Sequence, residues 1–145
     1  MPALVISIGN PLRRDDGVAH QVRIPEGIER RTVLQLTPEM AEEIARYDAV
    51  IFIDASIGAG VDAEQVRLEP VDTSGSTSPL SHVSSPAQIV ALARSLSGFS
   101  GKAYTCRLPV SDLSEGEGLS RSASRFAEQA ALEIDELMAA AIQPL

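Results

Sequence analysis

Short, fully apolar runs alternate with amphipathic ones along this chain, and the alternation predicts most of its elements. Residues 3–8 (Ala-Leu-Val-Ile-Ser-Ile) and 49–53 (Ala-Val-Ile-Phe-Ile) are continuous apolar runs of strand length. That is the signature of strands buried on both faces of a parallel sheet. Thr32 to Leu36 reads as strand two, a weaker strand follows at 65–68, and 102–107 is the last; Asp54 is expected to end strand three. Between them, a short helix begins near Asp15 or Asp16, turns Val18 and Val22 inward and stops at Pro25 and Gly27. A second starts with Thr37 as N-cap and Pro38 at the first helical position and runs to about Arg46, with Met40 and Ile44 one turn apart. A third spans about Pro86 to Leu96. The last spans about 120–142, with Ser120 as its cap and Phe126, Ala130, Ile134, Leu137 and Ala141 at helical spacing. Alternating βα units with apolar strands predict an α/β fold: a three-layer sandwich around a mostly parallel, five-stranded twisted sheet flanked by helices. Neither a repeat nor a domain boundary interrupts 1–145.

Composition narrows the partners. With no Trp, three Phe and two Tyr, the core must be aliphatic. A formal charge of −8 argues against nucleic acid, whose phosphates call for a Lys/Arg-rich face, and against anionic membranes. No segment has the length of a membrane span or the layout of a signal peptide, so cytoplasmic residence is the expectation. The single Cys106 rules out an internal disulfide and a Cys-based zinc site, and its place in an apolar strand reads as a buried, inert thiol.

Candidate chemistry gathers where strands end. Strand one runs into Gly9-Asn10-Pro11-Leu12-Arg13-Arg14-Asp15-Asp16-Gly17. Gly9 and Asn10 tolerate a sharp turn, and Pro11 keeps Asn10 out of helical geometry. The turn delivers Asp15 and Asp16 to the carboxyl edge of the sheet, where open α/β sheets hold ligands. Asp54 stands at the same edge, and His82 lies in a Ser/Thr/Gly/Pro-rich loop between Glu69 and Pro86. Two carboxylates and an imidazole form an O,O,N set suited to Zn, Ni or another divalent ion, with positions left open for water or substrate. Plainer roles exist for each: one acid of the pair as a helix cap, Asp54 as a turn cap, His82 as an exposed loop histidine. His20, on the first helix, has no partner legible in the sequence.

Two other classes compete for the same acids. A phosphoryl-accepting receiver domain places its acidic pair immediately at the strand end, whereas Gly9 to Arg14 intervene here; it also needs a Lys after strand five, and Lys102 starts that strand. Gly9-Asn10-Pro11 is not the glycine-rich loop of a dinucleotide-binding domain.

Together these residues resemble the [NiFe]-hydrogenase maturation endopeptidases. The family's strand-one motif, Gly-Asn-x-Leu-x-x-Asp-(Asp/Glu)-Gly, is met by Gly9 to Gly17, with its metal-contacting acid on Asp16. A second acid ending an apolar strand just before Ala matches Ile53-Asp54-Ala55, and a histidine ahead of a helix matches His82. The similarity spans nearly the whole chain, to Gly116-Glu117-Gly118-Leu119-Ser120. It implies a single maturation-endopeptidase domain whose partner is the immature large subunit of a hydrogenase. The enzyme would trim that subunit's C-terminal extension after nickel insertion, with Asp16, Asp54 and His82 as both catalytic and metal-contacting residues. Nickel would come with the substrate, and Zn or another divalent ion could occupy the site in isolation. Asp15 is either a general base or the helix start. A partner that senses nickel without cutting is the non-enzymatic alternative. The chain departs from many members in lacking Asp-Gly-Gly-Thr after strand two, where it has Gln35-Leu36-Thr37-Pro38-Glu39, and in having Ala19 for the usual Gly. The first departure, with Gly-Glu-Gly-Leu-Ser, looks like the branch serving NAD-reducing bidirectional hydrogenases.

Overall fold

In the computed structural model, residues 2–10, 12, 17–57, 66, 68–73, 85–110 and 121–142 are described. Five strands form one sheet: β1 (Ala3–Ile8), β2 (Glu29–Val33), β3 (Ala49–Ile57), β4 (Leu68–Pro70) and β5 (Lys102–Val110), in the order β2-β1-β3-β5-β4. All neighbours pair parallel except β4, which lies antiparallel on β5. Four helices accompany them: α1 (Val18–Gln21), α2 (Met40–Ile44), α3 (Pro86–Leu96) and α4 (Arg121–Ile142). This is the expected α/β sandwich with its mostly parallel five-stranded sheet.

The period of two in the strands sorts the core into two layers. Val5, Ile51, Ile53, Cys106 and Leu108 face α1 and α4, while Leu4, Ile6, Val50, Phe52 and Ala103 face α2 and α3. Leu4, Ile6, Phe52 and Ile53 are fully buried, each contributing about 1.5–3 kcal/mol of transfer free energy. Helix α4 turns Ala123, Ala127, Ala130 and Ala131 toward the sheet, so its backbone can lie close; Ile134 and Met138 continue the stripe. Arg23 reaches Asp135 of α4 at 3.3 Å, an exposed pair that adds under about 1 kcal/mol.

Boundaries follow the sequence closely where burial is two-sided. β1, α3 and the end of α4 lie where the pattern puts them, and α3 carries the full reciprocal cap. Ser85 Oγ accepts from Gln88 N–H and the Gln88 side chain accepts from Ser85 N–H. Ser120 lies outside the described residues.

Four expectations are corrected. Strand two is Glu29–Val33, not Thr32–Leu36, and its first three residues are charged. It is an edge strand, so one side and much of both faces meet water and need no apolar pattern. The second helix is the shorter Met40–Ile44, capped at Glu39 with no side-chain bond. Thr37 and Pro38 instead form tight turns, Met40 N–H to Thr37 O and Ala41 N–H to Pro38 O at 3.1 Å. The Thr37 hydroxyl bonds the Glu39 carboxylate, which is held below its ordinary range by its own backbone N–H and by that hydroxyl. Finally, Asp54 does not end β3, which continues to Ile57 beside β5. The weak fourth strand sits at Leu68–Pro70, three residues later than its expected start at 65.

Gly101 enters β5 under the loop from α2. A Cβ there would collide with the Asp48 carbonyl oxygen and stand 2.9 Å from Phe99 Cε1. Asp48 O also accepts from Lys102 N–H at 2.9 Å, so the obstruction is pinned backbone. Gly101→Ala is therefore expected to destabilise the fold by about 1–3 kcal/mol. Urea denaturation checks it, and an unchanged midpoint would show that this approach is not tight.

Candidate active site

Strand order defines where a site can form. From β1 the chain turns outward to β2 through α1 on one face. From β2 it crosses back through α2 on the other face to β3, and moves on toward β5 through α3. Connections from the carboxyl ends of β1 and β3 thus leave in opposite directions. They part between those two strands, and such switch points are where open sheets bind ligands.

Asp54 occupies this point. Ile8, the last residue of β1, pairs with Asp54, which pairs in turn with Arg107 of β5. Asp54 is partly buried on the α2/α3 face. Beyond it, Ala55 to Ile57 continue beside β5 with no strand partner on the β1 side among the described residues, so Asp54 is the last residue of β3 that β1 pairs. The carboxylate that the sequence set at a strand end stands instead at the end of one pairing.

Gly9 follows directly. Its φ of 149° lies in the range that L-residues with side chains seldom adopt. Its N–H donates to Val33 O at 2.9 Å, joining the ends of β1 and β2. One residue on, the Asn10 side-chain oxygen accepts from Leu12 N–H at 2.9 Å, a local turn that starts the loop. The loop is complete by Gly17, the N-cap of α1. Asp15, Asp16 and His82 lie outside the described residues. Among the described residues no group of three His, Cys, Asp or Glu side chains gathers to hold a metal.

His20, which the sequence left without a partner, is joined to this corner. Its Nε2 donates to Gly9 O at 2.8 Å. The ring lines a cleft of about 390 Å³ with Gly9, Thr32, Val33 and Leu34. Only register could have revealed this, since the partner is a backbone atom of another element. Behind the ring, Arg30 of β2 donates to His20 O at 3.4 Å and to Val22 O, capping the carbonyls of the short α1. Burial pushes the Arg30 guanidinium below its ordinary pKa.

A second cleft, of about 420 Å³, lies at the opposite edge among Asp48, Gly101, Lys102, Tyr104 and Met138. Lys102, at the start of β5, belongs to that edge and stands away from Asp54, which removes the cation a receiver domain needs. Among the described residues, no helix is long and apolar enough to cross a membrane.

With the fold and this corner in place, likeness to known proteins can be weighed. No family model and no curated protein matches the chain. Solved structures do, and those sharing the fold include hydrogenase maturation endopeptidases. The endopeptidase HybD from E. coli superposes with a TM-score of 0.62 at 19% identity, over 97% of this chain and 91% of that one. The [NiFe] hydrogenase maturation protease HybD from Thermococcus kodakarensis gives 0.63 at 19% identity, over 96% and 99%. An uncharacterized protein from Wolinella succinogenes gives 0.62 at 25% identity, over 97% and 98%. The likeness is one of fold along nearly the full length.

Cys106 can be excluded as a nucleophile. It is buried in the sheet, and desolvation, with Glu133 nearby, pushes its thiol up to about 12. A raised folded value means the native state holds the proton more tightly, so stability is retained below the ordinary value of 9.0 and lost as pH rises from there toward about 12. At pH 8 the native thiol is expected to resist a thiol-reactive dye that labels the urea-unfolded chain within minutes. Comparable labelling of the native protein would contradict the burial.

Proposed function

We propose that this chain is a cytoplasmic endopeptidase that removes the C-terminal extension of the immature large subunit of a [NiFe]-hydrogenase after nickel insertion. The observation that carries the reading is Asp54 at the switch point, paired with the last residue before the Gly9–Gly17 motif. A motif that carries two acids after β1 gains meaning from a third carboxylate near its start, and Asp54 pairs with Ile8, the residue that leads into it. The full-length likeness in fold to hydrogenase maturation endopeptidases supports the same conclusion.

In this proposal nickel is part of the substrate. Asp16, Asp54 and His82 contact it, and their two carboxylates and imidazole form a donor set that also takes Zn or another divalent ion in isolation. The chemistry such an ion supplies is polarisation of the scissile carbonyl or activation of a water. Asp15 then serves as general base, since α1 starts at Val18 with Gly17 as its N-cap and not at Asp15 or Asp16. The segment Gln35 to Glu39 supports a substrate from the NAD-reducing bidirectional hydrogenases.

Mass spectrometry of a nickel-loaded immature large subunit, incubated with the protein, tests the reading. The unmutated chain should yield the shortened subunit, and a nickel-free subunit should stay intact. Asp16→Ala, Asp54→Ala and His82→Ala should each remain folded and lose at least about 10²-fold in processing rate. Full processing by the His82 variant would overturn the metal-contact role. Binding of the loaded subunit with no shortened product would identify a non-cutting checkpoint partner instead.

A further inference from the structure

The Gly9–Gly17 loop enters from β1 and leaves into α1, a helix of four residues. So short a helix has no stability of its own. Burial of Val18, Ala19 and Val22 seats it against the core, and hydrogen bonds tie it to the end of β1. The hydrogen bonds around this corner form a closed circuit. Gly9 N–H donates to Val33 O of β2 at 2.9 Å, and Gly9 O accepts from His20 Nε2 at 2.8 Å. Arg30, also on β2, donates to His20 O and Val22 O at the end of α1. The circuit runs β2 to β1 to α1 and back to β2. Of its links, only the His20 ring joins the two ends of the loop directly, across eleven residues.

We propose that His20 is a positioning residue for the acid-bearing loop: its Nε2–H, donated to Gly9 O, clips the start of α1 to the end of β1, the two described ends of that loop. The inference rests on the endopeptidase reading for its consequence in catalysis, but the clip itself is a property of the fold.

Two observations favour this over simple packing. A carbonyl can only accept, so the ring must carry its hydrogen on Nε2, and the bond has a defined donor. The other ring nitrogen, Nδ1, is buried with no hydrogen-bond partner among the described residues. A buried polar atom without a partner is unfavourable, and an apolar side chain would fill the same space without it. The imidazole therefore earns its place through the Gly9 bond. Gly9 is itself buried, so its carbonyl needs a partner within the protein, and His20 Nε2 is that partner.

His20→Gln keeps an N–H donor near the Nε2 position, His20→Leu removes it, and His20→Asn is too short to reach. In processing assays with the nickel-loaded large subunit, His20→Leu is expected to lose about 10- to 10²-fold in kcat with KM within about two-fold, while His20→Gln retains most of kcat. Amide exchange at Gly9 and Leu12 should quicken in His20→Leu and not in His20→Gln. If His20→Leu does not fold, His20→Asn against His20→Gln gives the same contrast. Unchanged kcat in His20→Leu, or equal losses in the Leu and Gln variants, would overturn the proposal. If the unmutated protein shortens no subunit, the endopeptidase reading falls separately. The clip is then judged by exchange alone, and unaltered exchange in His20→Leu refutes it.

Discussion

The register between β1 and β3 is the constraint on which everything else rests. Pairing Ala3 with Ala49 places Ile8 opposite Asp54, and the pairs between them send side chains, all apolar but Ser7, alternately into the two cores. A slip by one residue would leave the backbone bonds nearly as good but change which residue of β3 meets the end of β1. Both strands are buried on both faces, against α1 and α4 on one side and α2 and α3 on the other. Any shift would misalign two packed layers at once. The position of one carboxylate is thus set by side chains that take no part in chemistry.

Burial also explains what could be read from the sequence. Ala3–Ile8 and the start of β3 are legible because a strand covered on both faces is almost wholly apolar, Ser7 being the one polar side chain in them. Pro86–Leu96 is legible because its cap and its apolar stripe agree. β2 was misplaced because Glu29, Arg30 and Arg31 carry no apolar signal, and the run Thr32 to Leu36 only begins as strand. The extension of β3 past Asp54 was hidden for a related reason: pairing with β5 alone sustains Ala55 to Ile57. Of the candidate site, the motif and Asp54 were visible as residue types at strand ends. The role of His20 was not, since its partner is a carbonyl that only tertiary structure brings near.

The corner around Gly9 shows how little regular structure a site needs if its polar atoms are tied. A four-residue helix, a glycine of unusual φ and an edge strand would each be loose alone. Joined by Val33, His20 and Arg30, they tie together the two ends of the segment whose sequence carries Arg13, Arg14, Asp15 and Asp16.

Both margins of the sheet are poor templates for another polypeptide. β2 exposes Glu29 and Arg31, the latter paired with Glu43 at 2.6 Å, and β4 is three residues long and ends in Pro70. Charged and proline-bearing margins resist strand addition. Among the described residues, a flexible tail that meets this molecule therefore finds little backbone ladder to join along either flank.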